Sequence, residues 1–167
     1  MRCPIVVLVA LAAAVPCHAQ GMDASSPDWQ TYVDGQSATR AEYPAGIFSA
    51  DAGAPTIGNG KSFETDDGTA RLEIYALANS DHDSPASYVA KKFAFRRSEL
   101  EYDRVASRFF ALSGVKGDMV YYSRCNFPQG RNGPIHCVYL TYPHGETKAW
   151  DAIVTRISWS LRPRSSR

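Results

Sequence analysis

Residues 119–142 read MVYYSRCNFPQGRNGPIHCVYLTY. Two Val- and Tyr-rich runs, 119–125 and 134–142, flank Asn126–Gly133, a segment carrying Pro128, Gly130 and Gly133. That is the signature of a β-hairpin. Setting Cys125 opposite Cys137 fixes its register, which pairs Val120 with Tyr142 and Tyr122 with Leu140. Val120, Tyr122, Val138, Leu140 and Tyr142 then share one face; Tyr121, Ser123, Cys125, Cys137, Tyr139 and Thr141 share the other. One face is richer in aliphatic groups and the other is aromatic and polar, so pairing and pattern agree. The cysteines read as a structural disulfide, whose closed loop would stabilise the fold by about 3 kcal/mol on a chain-entropy account. The same reading sets Tyr121 and Tyr139 opposite one another beside the bridge and marks them as a candidate binding surface.

An oxidised pair needs an oxidising compartment, and the N-terminus supplies the address. One charge, Arg2, precedes an apolar run from Ile5 to Val15, and Cys17-His18-Ala19 places small residues at the −3 and −1 positions of a signal-peptidase site. Residues 1–19 are expected to be cleaved, giving a periplasmic or secreted protein. The run is too short for a transmembrane anchor, which needs about 20 apolar residues, and Pro16 before Cys17 suits a lipoprotein poorly. Removing residues 1–19 from the 167 leaves 148, a usual size for one domain. Loss of Arg2 from the eighteen basic side chains leaves seventeen, against seventeen acidic ones. With no net field, nucleic acid is not an expected partner. Residues 20–28 read as a flexible lead-in, 29–162 as a single α+β domain and 163–167 as a frayed basic tail.

Outward from the hairpin, Trp29–Val33 and Arg40–Phe48 read as strands. Pro44 should place the second at a sheet edge or bend it. Asp51–Gly60 is a loop. Lys61–Thr65 and Ala70–Leu77 flank Asp66-Asp67-Gly68, a tight-turn signal in which both central residues can take positive φ. Leu72, Ile74 and Ala76 alternate with Arg71 and Glu73, the pattern of a half-buried strand. Ser84-Pro85 starts a helix by capping; Ala86, Val89 and Phe93 form its buried stripe, and Arg96-Arg97 its end. Tyr102–Leu112 reads as one further strand. Trp150, Ile153, Val154, Ile157 and Leu161 recur at helical spacing, and Pro163 stops that helix. The order ββββ-α-βββ-α implies an α+β fold, a mostly antiparallel sheet packed by two helices.

No catalytic set emerges. Redox dithiols usually lie two residues apart at a helix start, unlike Cys125 and Cys137. His136 and Cys137 are adjacent on a strand and point to opposite faces, so they cannot share an ion. Neither a nucleophile elbow nor a phosphate loop is present; Gly58-Asn59-Gly60-Lys61 is too short. Asp81-His82-Asp83 and His144 form a weaker alternative polar site, which a small periplasmic hydrolase could use. No metal and no cofactor is expected. The many tyrosines (Tyr43, Tyr75, Tyr88, Tyr102, Tyr121, Tyr122, Tyr139 and Tyr142) suit either a packed sheet or an amphipathic contact surface.

The opening Trp29–Tyr32, then Tyr43-Pro44-Ala45-Gly46-Ile47-Phe48 and the closing amphipathic helix, resembles uncharacterised small secreted proteobacterial proteins. More distantly it resembles the Mog1/PsbP-like α/β/α sandwich. That resemblance implies a sandwich spanning roughly Trp29 to Leu161 and a binding or assembly role without a shared catalytic set. The functional expectation is an exported, non-enzymatic domain that binds an unknown envelope protein or component; its oligomeric state is not readable.

Overall fold

The computed structural model describes residues 27–93 and 99–164. Within these residues, ten strands and two α-helices make three layers. The strands are β1 (Trp29–Val33), β2 (Thr39–Pro44), β3 (Ala50–Asp51), β4 (Asn59–Glu64), β5 (Arg71–Leu77), β6 (Leu100–Val105), β7 (Phe109–Lys116), β8 (Met119–Asn126), β9 (Ile135–Pro143) and β10 (Arg162–Pro163). The helices are α1 (Pro85–Lys92) and α2 (Thr147–Ser160). A seven-stranded sheet runs β3-β4-β5-β9-β8-β7-β6, and a smaller sheet runs β1-β2-β10. The strand pairs are antiparallel throughout. The fold is α+β, as expected.

Helix α2 and the small sheet cover one face of the large sheet. Leu72, Ile74, Val120, Val138, Leu140 and Tyr142 from the sheet meet Trp150, Ile153, Val154 and Ile157 there. Trp150 stacks on Tyr142 with ring centroids 5.2 Å apart, and Tyr43 stacks on Phe63 at 4.4 Å. Helix α1 covers part of the other face, where Tyr75, Tyr88, Phe110, Leu112 and Phe127 pack around Cys125 and Cys137. The two faces of the 119–142 hairpin therefore serve two separate cores, in the register the cysteines dictate: Val120 opposite Tyr142, Tyr122 opposite Leu140, Cys125 opposite Cys137. The disulfide is formed, with Cα atoms 4.1 Å apart.

Several local expectations change. Tyr102–Leu112 is not one strand: it turns at Ala106–Arg108 and folds back as β6 and β7, closed by the Ala106 N–H donating to the Phe109 carbonyl at 2.8 Å. Strand β2 ends at Pro44 and is central in its sheet, not at an edge. The proline costs no ladder bond because β10 reaches only Thr39 and Arg40, and the chain bends at Pro44 as expected. Around Asp66–Thr69 only Gly68 has positive φ, so the connection is a wider loop than a two-residue turn. Strand β5 is buried on both faces, Glu73 included at 3% exposure. The β3–β4 loop folds over it, and Thr56 donates to the Glu73 carboxylate through its N–H (3.2 Å) and hydroxyl (2.7 Å). In α1 the Ser84 cap and Pro85 stand as read, with Ser84 and Ser87 closing a reciprocal box. Its buried residues are Pro85 and Tyr88, while Ala86 is exposed. Helix α1 ends at Lys92, and Arg96-Arg97 lie outside the described residues. Arg162 and Pro163, assigned to the end of the domain and a frayed tail, pair with β2.

Candidate functional site

Strands β7 and β6 extend beyond the edge of α2, leaving a step on that face of the large sheet. The sheet forms its floor and α2 its wall, enclosing a groove of about 380 Å³. Register decides what lines it. Ser113 pairs with Tyr122, Ala111 with Arg124 and Phe109 with Asn126, while Tyr102 and Arg104 of β6 pair with Ser113 and Ala111. These side chains all point to the α2 side. A β-bulge between Leu100 and Tyr102 is essential to this: Leu100 pairs with Gly114 and packs into the α1-side core, yet Tyr102, two residues on, faces the groove. An extra residue in the strand reverses the faces.

Two guanidinium groups bracket the Phe109 ring, Arg124 at 4.6 Å from its centroid and Arg104 at 5.4 Å. Such contacts hold each cation in place without neutralising it. Arg124 also donates from Nε to Asn126 Oδ1 (3.1 Å) and from Nη1 to Ser158 Oγ (3.3 Å). Neither arginine forms an ion pair with a carboxylate among the described residues. The Tyr122 hydroxyl shares a 2.7 Å hydrogen bond with Ser158. Burial raises the pKa of Tyr122, and it pushes that of Tyr142 up to about 12, so both phenols are neutral across physiological pH. On the rim Tyr102 is 46% exposed and Trp159 of α2 is 78% exposed. The arrangement suits an amphipathic, anionic surface: rings for apolar contact, two fixed cations for charge.

The residues singled out in the sequence lie elsewhere. Tyr121 and Tyr139 are on the α1 face, as expected for the cysteine side, but they are not opposite one another. The register pairs Tyr121 with Thr141 and Tyr139 with Ser123. Tyr121 is 6% exposed, its ring lying across Gly114, where an added Cβ would come within 2.7 Å of the ring's Cζ. Tyr139 is half-buried beside Tyr75 and the disulfide. They form part of a packed layer rather than an open patch.

Asp81 and Asp83 line a second hollow beside α1, and His82 between them bonds across to the Arg131 loop. Asp83 is buried and accepts from Lys91 Nζ at 2.7 Å, a bond that holds its carboxyl below the usual range. The Asn79 amide bonds both the N–H and C=O of Asp83, and His82 Nδ1 lies 3.2 Å from the Arg131 carbonyl. His144 follows the far end of β9, a strand about 26 Å long at the usual rise, while His82 meets the Arg131 loop that precedes its start. The four residues do not form one site. His136 faces the α2 side, away from the cysteines, and bonds Thr39 Oγ1 at 2.8 Å. Among the described residues no three His, Cys, Asp or Glu side chains converge as metal ligands, and no helix is long and apolar enough to cross a membrane.

Tyr102, Tyr122 and Tyr142 stand among the tyrosines read as sheet packing or contact surface, but the groove they share with Arg104, Arg124 and Trp159 was not singled out, for identifiable reasons. Trp159 carried a usable signal: two residues past Ile157, it falls on the far side of the helix from the buried stripe. The placement of Tyr102 beside Arg104 carried none, because it depends on the bulge and on β6 being the outermost strand.

No protein-family model and no curated protein matches this sequence. Among solved structures the chain is similar to the solution structure of CyanoP, the cyanobacterial PsbP of Synechocystis sp. PCC 6803. The TM-score is 0.58 at 11% identity, covering 85% of this chain and 96% of that one. The fold is thus PsbP-like, the sandwich that the aromatic opening and closing helix resemble.

Proposed function

We propose that this chain is an exported, non-enzymatic binding or assembly domain of the cell envelope, and that its contact surface is the groove between α2 and β6–β7. One observation carries the reading. Trp159 and Tyr102 stand exposed on the rim of a groove whose floor holds two arginines without carboxylate partners among the described residues. Exposed aromatic rings flanking desolvatable arginines are the composition of interface anchors. The leader at residues 1–19 and the buried Cys125–Cys137 bridge support export to an oxidising compartment. The PsbP-like fold supports a binding role only by analogy. The competing hydrolase reading relied on His82 or His144 with neighbouring acids, and these residues serve a loop clasp and the opposite end of the sheet.

The test is capture from envelope extract with immobilised protein. The wild type and an Ile57→Ala control beside α1 should retain the same partner, while Tyr102→Ala with Trp159→Ala should lose it. Capture indifferent to the groove, or turnover of an envelope substrate with no partner retained, would reverse the reading.

A further inference from the structure

Strand β6 is the last strand of the large sheet, with no described strand on its outer side. Because the Ala106 N–H bonds the Phe109 carbonyl, alternation along the hairpin turns the backbone groups of Arg104 and Tyr102 toward β7. Those of Asp103 and Val105 then point outward. The other edge of the sheet is blunted by β3, only two residues long. An open edge carrying N–H and C=O groups is a template for strand addition.

The charges on β6 favour a heterologous strand over a second copy. Two copies pairing antiparallel with their sheet faces continuous have few registers available. One sets Asp103 against Asp103, another Arg104 against Arg104, and a third, centred on Tyr102, sets Asp103 against Glu101. Like charges directly opposite are destabilising, so these three self-pairings are penalised. A register centred on Val105, the last residue of β6, leaves only Val105 opposite Val105 within the strand. A foreign strand meets no such conflict if it presents an acid to Arg104 and a base to Asp103.

We infer that the groove's partner is a polypeptide that adds an extended segment antiparallel to β6, in the order acidic, basic, then apolar residue opposite Arg104, Asp103 and Tyr102. The acid and the apolar residue lie on the groove side, over Arg104, Phe109 and Tyr102; the base lies on the other face beside Asp103. Main-chain bonds to Asp103 and Val105 give affinity, and the alternating charges give register. This rests on the groove being the contact surface and names its ligand.

The experiment is selection of short random peptides against the full-length secreted protein with its disulfide intact. Enriched peptides should share the acidic–basic–apolar order and protect the Asp103 and Val105 amides from hydrogen exchange. Arg104→Glu should replace the acid by Lys or Arg at that position alone, and Asp103→Lys should replace the base by an acid. A wild-type-selected peptide should weaken roughly three- to tenfold on Arg104→Glu. Peptides without the pattern, preferences unmoved by either reversal, or no enrichment would overturn the inference. So would Arg104-dependent binding to phosphatidylglycerol vesicles in place of peptides. If capture still depends on Tyr102 and Trp159, the groove reading survives that failure; if capture is indifferent too, both fall.

Discussion

His136 is 2% exposed between β9 and β2, bonded through Nδ1 to Thr39. Burial lowers its pKa below the usual histidine value. The unfolded chain takes up this proton near pH 6.5 while the folded chain resists it, so the contribution is complete above about pH 6.5 and is lost as pH falls toward the folded pKa. Urea unfolding should show a lower midpoint at about pH 5.5 than at about pH 7.5, a slope of up to about 1.4 kcal/mol per unit across that window. His136→Asn should flatten it. Glu73 makes a comparable test of a buried charge. Its carboxylate is held by Arg71 Nε at 3.1 Å and by Thr56, so Thr56→Val removes one hydroxyl donor and should cost roughly 1.5–3 kcal/mol. Chemical denaturation would measure it, and an unchanged midpoint would mean water replaces the hydroxyl.

Elements with local causes were readable; those with distant causes were not. The Ser84 cap is set by two neighbouring residues, and Ser84→Ala should cost about 1 kcal/mol in thermal unfolding. Helix α2 announced itself because its whole stripe lies against one core. Of the α1 stripe, Val89 and Phe93 pack on the core as read, but Ala86 does not; Tyr88 takes that place, packing on Phe110 with centroids 5.8 Å apart. Strands β6 and β7 were fused because nothing in their sequence registers that Ala106–Arg108 must turn for β6 to reach the edge. Gly114 shows the same dependence on its surroundings: it is ordinary in the sequence, yet it leaves space for the Tyr121 ring across the strand. Gly114→Ala should destabilise the β6–β7–β8 region, read as faster amide exchange there than in β5, and equal exchange would contradict the packing.

At the scale of the molecule, one covalent link joins the two central strands β8 and β9, and both sulfurs are buried, at 1% and 0% exposure. Replacing both cysteines by alanine should lower stability by about 3 kcal/mol without changing the register, which the two faces of the hairpin specify independently. A circular-dichroism melt compared with the oxidised wild type would show this. The hairpin's register and its two unlike faces were legible because side-chain alternation encodes them; that the aromatic face is a second core was not, because helix α1 and Phe127 are what cover it. The candidate site was not, because it is made by what α2 fails to cover. The account's central claim is that this uncovered step on the sheet is where a partner sits. Its most direct test is a photo-crosslinking side chain placed in living cells at position 102 or 159, with position 57 as the comparison. Both groove positions should yield an adduct with the same polypeptide and position 57 none; adducts from position 57 alone, or none from 102 and 159, would contradict it.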